Sequence, residues 1–278
     1  MKPFPYDEIG YWSEIKLHIV RKYATAYSTI MTVQPAIKKH IYVDAFAGAG
    51  RHIARRTGEF VPGSPLNALE VTPHFSEIHL IDLDGDKLAE LRRWTGSRHD
   101  VFIYEADANE VLLNEVFPRC RYQDFNRALC LLDPYGLNVD WRVLQVAGEM
   151  GSVEVFYSFM IMDANRNVLW HKPGSVPASQ AKRMDRVWGD HSWAEAAYAE
   201  RPTLWGDTVG EKTRNEAIAE AFRKRLENVA GFKYVPKPAP MANVRRAVIY
   251  YLFFASPNET GARIVEDIFN TARSKGIG

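Results

Sequence analysis

The chain predicts an α/β fold in which a mostly parallel, Rossmann-like sheet is covered by helices on both faces, with an antiparallel last strand and a helical insertion. Three observations predict it. Five apolar, β-rich runs alternate with helical patterns: HIYVDAF (40–46), EIHLIDLD (77–84), VFIYEAD (101–107), ALCLLDPY (128–135) and VEVFYSFM (153–160). They are apolar almost throughout, as strands buried on both faces must be. From 163 to 230 the strand pattern stops and helical, Trp-rich sequence takes over, with Trp170, Trp188, Trp193 and Trp205. Beyond it, GFKYVPKPAPM and RRAVIYYLFFAS read as two strands whose connection is so short that they run antiparallel.

The helices follow from spacing. Over 11–33, Trp12, Ile15, Ile19, Tyr23, Tyr27 and Ile30 recur three or four apart and form one apolar face of a long amphipathic helix. Ser64-Pro65 opens a second helix running through Glu70, with Ser64 expected as N-cap and Pro65 at the first helical position. Further helices are expected over 85–94, from Ala108 to Val116, over 140–149, and in the closing GARIVEDIFNTAR. The thirteen residues from Arg51 to Gly63 read as a loop, long for a strand-to-helix connection and for that reason a functional candidate.

At 278 residues and 46% hydrophobic content the chain can bury a large core, and we read 1–278 as a single domain. Lys plus Arg number 35 against 34 Asp plus Glu, so no whole-chain field favours nucleic acid, and a charged partner must be held locally. Cys120 and Cys130 show neither a disulfide framework nor metal-ligand spacing and read as reduced core thiols. No metal is expected: a twelve-residue calcium loop counted from Asp82 puts Lys87 where Gly is needed and Arg93 where Glu is needed. MKPFPYDEIG lacks an apolar signal core, and no stretch reaches the roughly 20 apolar residues of a membrane helix, so a cytoplasmic location without membrane contact is the expectation.

The stretch IYVDAFAGAGRH carries the functional argument. A strand that ends in a small-residue turn marks where open α/β sheets bind ligands. A dinucleotide fingerprint fails because Ile53 stands at the third glycine position, and a phosphate loop fails for want of Gly-Lys-Ser/Thr. What remains is D-x-F-x-G-x-G, in which Asp44 could accept from a cationic amine while Phe46, Ala47, Gly48 and Gly50 line the ligand. Asp82, at the end of the second strand, is the candidate for a ribose diol. Asp107 and the backbone of Ala108, at the end of the third, suit an adenine. Ammonium, ribose and adenine together describe S-adenosylmethionine. Each acid also has a plain structural reading, Asp44 as a cap on its turn and Asp84-Gly85 as a helix start, but three acids at successive strand ends carry more weight than any one.

These residues resemble the class I S-adenosylmethionine-dependent methyltransferases, whose final antiparallel strand pair the chain also matches in pattern. The helix W..IK..IV.KY...Y..I together with DAFAGAGRH, GSPLNAL, LLDPYG and the terminal YYLFFAS is more closely similar to the three-Cys-motif partner protein (TcmP) family, over nearly the whole chain. That resemblance implies a methyltransferase-like fold and association with a cysteine-motif partner resembling radical-SAM enzymes. It does not supply a substrate.

Asp133-Pro134-Tyr135-Gly136 ends the fourth strand. Methyltransferases acting on amino groups of bases place Asp/Asn-Pro-Pro-aromatic here, where acceptors hold the target NH₂ and the ring stacks on the base. This chain has one proline and its aromatic residue one place early, similar to a variant found in some guanine N2 methyltransferases. Asp133, Pro134 and Tyr135 are therefore the catalytic candidates, against the alternative that D-P-Y-G merely turns the chain. Arg51, His52, Arg55 and Arg56 are candidate phosphate contacts or a solvated basic loop, and nucleic acid or a nucleotide-like molecule is the substrate such contacts would suit. Asp163, Asn165 and Arg166, after the fifth strand, are further substrate candidates or helix caps. His52 and His171 qualify as general bases only where they reach the pocket. Three functions follow: methylation of an amino nitrogen on a base or nucleotide-like substrate, a non-catalytic partner of the cysteine-motif protein, or a small-molecule methyltransferase.

Overall fold

The structure, a computed structural model, describes residues 6–202, 208–243 and 245–274; Trp205 lies outside them. The N-terminal half runs β1 (Asp7–Ile9), α1 (Tyr11–Thr32), β2 (Lys39–Asp44), β3 (Arg51–Ala54), β4 (Phe60–Pro62), α2 (Ser64–Leu69), β5 (Glu77–Asp82), α3 (Gly85–Thr95), β6 (Val101–Glu105) and α4 (Ala108–Val111). It continues with β7 (Asn126–Leu132), α5 (Trp141–Met150), β8 (Val153–Phe159), α6 (Ile161–Asn167), α7 (Ala178–Trp188), α8 (Trp193–Ala197), β9 (Tyr198–Pro202) and β10 (Thr208–Lys212). Last come α9 (Asn215–Asn228), β11 (Ala239–Ala242), β12 (Val248–Ala255) and α10 (Glu259–Ser274).

The expected sheet forms. Among the described residues it has seven strands in the order β11-β12-β8-β7-β2-β5-β6. β2, β5, β6, β7 and β8 pair in parallel. β12 runs antiparallel to both β8 and β11. This is the mostly parallel, Rossmann-like sheet with an antiparallel last strand that the sequence predicts. Strand side chains alternate faces, so Ile41 and Val43 join a core with Leu144, Trp188 and Phe222 on one side. Tyr42 joins Tyr23, Phe75 and Phe269 under α1 and α10 on the other. Each large apolar side chain taken from water contributes about 1.5–3 kcal/mol, and two-sided burial explains why the strands read as continuous apolar runs. Both cysteines are free and buried.

Three features differ from expectation. The 51–63 segment is a β-hairpin, β3 antiparallel to β4, and β1 adds to it in parallel. Strands of three and four residues hold too few alternations to stand out in sequence. Gly63, not Ser64, is the N-cap of α2, and no side chain caps it. The insertion is not wholly helical, because β9 and β10 form an antiparallel ribbon within it. Trp188 and Trp193 are buried core residues, with the Trp188 ring 5.3 Å from that of Phe222.

Candidate functional site

From β2 the chain continues to β5 and β6 on one side of the sheet, then returns to β7 on the other side of β2. The carboxyl ends of β2 and β7 therefore flank the switch point where α/β sheets bind ligands. A cleft of about 210 Å³ opens there, lined by Phe46, Ala47 and Gly48 after β2 and by Asp133, Pro134 and Tyr135 after β7. His52 and Arg55 of the hairpin, Trp12 and Lys16 of α1, Asp7 and Glu8 of β1, Met160 and Tyr250 are among its other lining residues.

Backbone bonds to neighbouring strands fasten the glycine turn. Ala45 donates to the carbonyl of Leu131 and Ala47 to that of Ile81. The Gly48 N–H donates to Asp82 Oδ2 at 2.8 Å, while Asp82 Oδ1 accepts from Asp84 N at 2.9 Å. Gly48 and Gly50 both hold left-handed φ angles, 61° and 79°, for which glycine carries no steric cost. A Cβ on Gly48 would project into open space, whereas one on Gly50 would come within 2.8 Å of Leu91. Gly48 thus leaves room for a ligand, and Gly50 lets α3 pack.

Asp44 lies wholly buried beneath this turn, and its Oδ2 has no hydrogen-bond partner. Burial raises its pKa to about 7; the Ser64 hydroxyl pulls it down, and the Asp133 charge adds to the rise. The Ala47 and Gly48 amides are already bonded and the nearby side chains are acids, so the turn does not suit a phosphate. A cationic, hydroxyl-bearing ligand fits it better, and the residues accord with S-adenosylmethionine. Asp107 Oδ1 caps α4 by accepting from Asn109 N and Glu110 N, and Ala108 is the first residue of that helix. Asp107 therefore has the structural job of a cap in addition to any ligand it meets.

Around Asp133 the structure adds a residue that sequence reasoning missed. Lys16 Nζ donates to Asp133 Oδ2, and the two form an ion pair with side chains 9% and 26% exposed. The same ammonium lies 5.2 Å from the centre of the Tyr250 ring. The signal was present: Lys16 falls four residues after Trp12 and three before Ile19, a charge on the apolar stripe of α1. His52 lines the cleft with its Nδ1 unpartnered. Burial, then the Lys16 ammonium, lowers its pKa, leaving the imidazole neutral and able to accept a proton.

Tyr135 is turned toward the N-terminal strand. Its hydroxyl donates to Asp7 Oδ2 at 2.7 Å, and Lys87 Nζ donates to the same oxygen at 2.7 Å. Although burial opposes it, these two bonds hold the Asp7 carboxyl below its ordinary pKa. The Lys87 ammonium also stands 5.2 Å from the centre of the Tyr135 ring, so one face that would receive a substrate ring already has a neighbour.

Other candidates are placed elsewhere. Arg51 stacks on Trp94 at 3.6 Å, against α3 and outside the cleft lining. Asp163, Asn165 and Arg166 also lie outside that lining. Asp163 Oδ2 accepts from Leu137 N at 2.9 Å and from Arg183 at 2.5 Å, and so braces the loop after β7. Asn165 bonds Lys212 and Asn215 within the insertion. His171 is exposed and does not reach the cleft.

No protein-family description matches the chain, and no curated protein sequence matches it. Among solved structures it is similar to protein LPL1258 from Legionella pneumophila, with 10% identity and a TM-score of 0.52 over 94% of this chain and 91% of that one. That likeness shows a shared fold over nearly the full length of both. Two looser likenesses are to a Listeria monocytogenes protein described as an S-adenosylmethionine-dependent methyltransferase and to the methyltransferase domain of bacterial CtHen1. The first has 13% identity, TM-score 0.41, and covers 85% of this chain and 99% of that one. The second has 12% identity, TM-score 0.40, and covers 85% and 97%.

Proposed function

We propose that this chain is an S-adenosylmethionine-dependent methyltransferase acting on an amino nitrogen of a base or nucleotide-like substrate. One observation carries the reading: the open turn at Gly48 and the carboxylate of Asp133 line the same cleft. Asp44, Gly48, Asp82 and the Asp107-Ala108 pair would hold the cofactor, which supplies a methyl group on a sulfonium when bound. Asp133 Oδ2 is engaged by Lys16, which leaves Oδ1 to accept an N–H of the target. Holding that N–H orients the nitrogen lone pair, and orientation of reacting atoms is worth several kcal/mol of a barrier. Pro134 limits the backbone freedom of the turn that carries Asp133. Neutral His52 faces the same space and takes up the proton that the amino group sheds. Trp12, Phe46, Tyr135 and Tyr250 offer aromatic walls for a flat ring.

The test is calorimetric titration with S-adenosylhomocysteine, followed by labelled methyl transfer from S-adenosylmethionine into RNA, DNA and nucleotide pools. Asp133→Ala is expected to abolish transfer and spare cofactor binding. Absence of binding by the folded wild-type chain rejects the reading. Binding with transfer into other metabolites redirects it to a small-molecule enzyme, and binding with no transfer to a non-catalytic partner protein.

A further inference from the structure

Asp133 does not stand alone in its cleft, and the group beside it bears on which amines the cleft admits. An isolated carboxylate there would attract cationic amines, including alkylammonium groups whose nitrogen lone pair is tied up by a proton. Lys16 prevents this. Its ammonium bonds Asp133 Oδ2 from α1, with a side chain only 9% exposed, and Tyr250 holds the same ammonium from the β12 side. An opposite charge buried at contact distance cancels most of the field a carboxylate would present.

We propose that Lys16 is the specificity-determining, positioning residue of this cleft: it balances the charge of Asp133, so the site takes a neutral, weakly basic amino group, such as one on a heteroaromatic ring, and rejects a protonated alkylamine. The inference rests on the methyltransferase reading of the cleft. The Oδ1 atom left by Lys16 offers a hydrogen-bond acceptor without a net negative charge. A ring-bound amino group asks for that, because its nitrogen is unprotonated at neutral pH and its N–H bonds donate. The aromatic side chains of Trp12 and Phe46 and the ring of Tyr250 wall the same space.

The experiment compares two cofactor analogues in the full chain by calorimetry. S-adenosylhomocysteine is uncharged at the sulfur, whereas sinefungin carries an ammonium-bearing carbon there, so the ratio of their affinities reads the charge balance around Asp133 without any methyl acceptor. In Lys16→Met, sinefungin is expected to gain on S-adenosylhomocysteine by about tenfold or more, the scale of an opposite charge a few ångströms away. Lys16→Arg, which keeps the charge, leaves the ratio as in wild type, and Asp133→Asn lowers it. An unchanged ratio in Lys16→Met with S-adenosylhomocysteine still bound overturns the proposal. Should Lys16→Met lose both ligands, the double variant Lys16→Met/Asp133→Asn, which removes both charges, must recover S-adenosylhomocysteine binding without a preference for sinefungin; failure to recover it also overturns the proposal. Failure of wild type to bind S-adenosylhomocysteine rejects the methyltransferase reading itself.

Discussion

The Gly48 amide donates to Asp82 Oδ2 at 2.8 Å, so the glycine turn after β2 and the acid that ends β5 form one unit. Removing the carboxylate takes away a candidate ribose contact and frees the amide that shapes the turn. Asp82→Ala is expected to weaken S-adenosylhomocysteine about tenfold to a hundredfold, the range of a hydrogen bond to a charged group. Calorimetry checks this, and an unaltered affinity would remove Asp82 from the site.

On the proposed reading of the site, Asp44 would make cofactor binding depend on pH. Burial raises its carboxyl from 3.8 to about 7, so the acid is largely protonated at pH 6 and ionised at pH 8. A ligand ammonium pairs with the ionised form, so binding expels a proton. Affinity for S-adenosylmethionine should rise about tenfold from pH 6 to pH 8 relative to Asp44→Asn. The sign is opposite for the unliganded fold: the neutral form is favoured there, so its contribution to stability is complete below the unfolded value and fades as pH rises through about 7. Urea denaturation of wild type against Asp44→Asn at pH 5 and pH 8 reads that slope, and parallel curves would exclude it.

One carboxylate ties three elements across the cleft: Asp7 of β1 accepts from Tyr135 after β7 and from Lys87 of α3. Asp7 and Tyr135 line the same cleft as Gly48, so a cofactor held there as proposed would lie beside this bridge. Asp7→Ala is expected to speed S-adenosylhomocysteine dissociation about twofold to fivefold, the scale of a part-exposed ion pair. Stopped-flow displacement measures it; an unchanged rate would leave the bridge a purely structural tie.

Gly148 marks where α5 meets the segment after α9. A Cβ there would lie 2.0 Å from the Ala230 carbonyl oxygen, closer than any packing allows. Gly148→Ala should cost about 1–3 kcal/mol by overpacking. Gly174→Ala, whose Cβ would meet open space, serves as the neutral control. Equal denaturation midpoints for the two would show that the backbones there separate freely.

The main sheet was legible because both strand faces are buried: Ile41, Tyr42 and Val43 serve two different cores, and a run apolar at every position records that in the chain itself. The glycine turn and the acids Asp44, Asp82, Asp107 and Asp133 were legible for a related reason, since a parallel sheet brings the ends of its strands to one edge by geometry alone. The β3–β4 hairpin was not, because strands this short hold too few alternations. Nor was the partner of Asp133. Lys16 stands 117 residues away, and the sequence marks it as a misplaced charge on an apolar helix face without saying which charge it meets. The same limit applies to Arg51, read as a candidate phosphate contact and found on Trp94, and to Asp163, found bracing the loop that carries Asp133. By itself the sequence determined the strands and helices of the main sheet and the edge at which its parallel strands end, because periodicity and turn chemistry act over a few neighbouring residues. The tertiary structure decided which charges face one another across the cleft, because that depends on how α1, α3 and the insertion pack on the sheet.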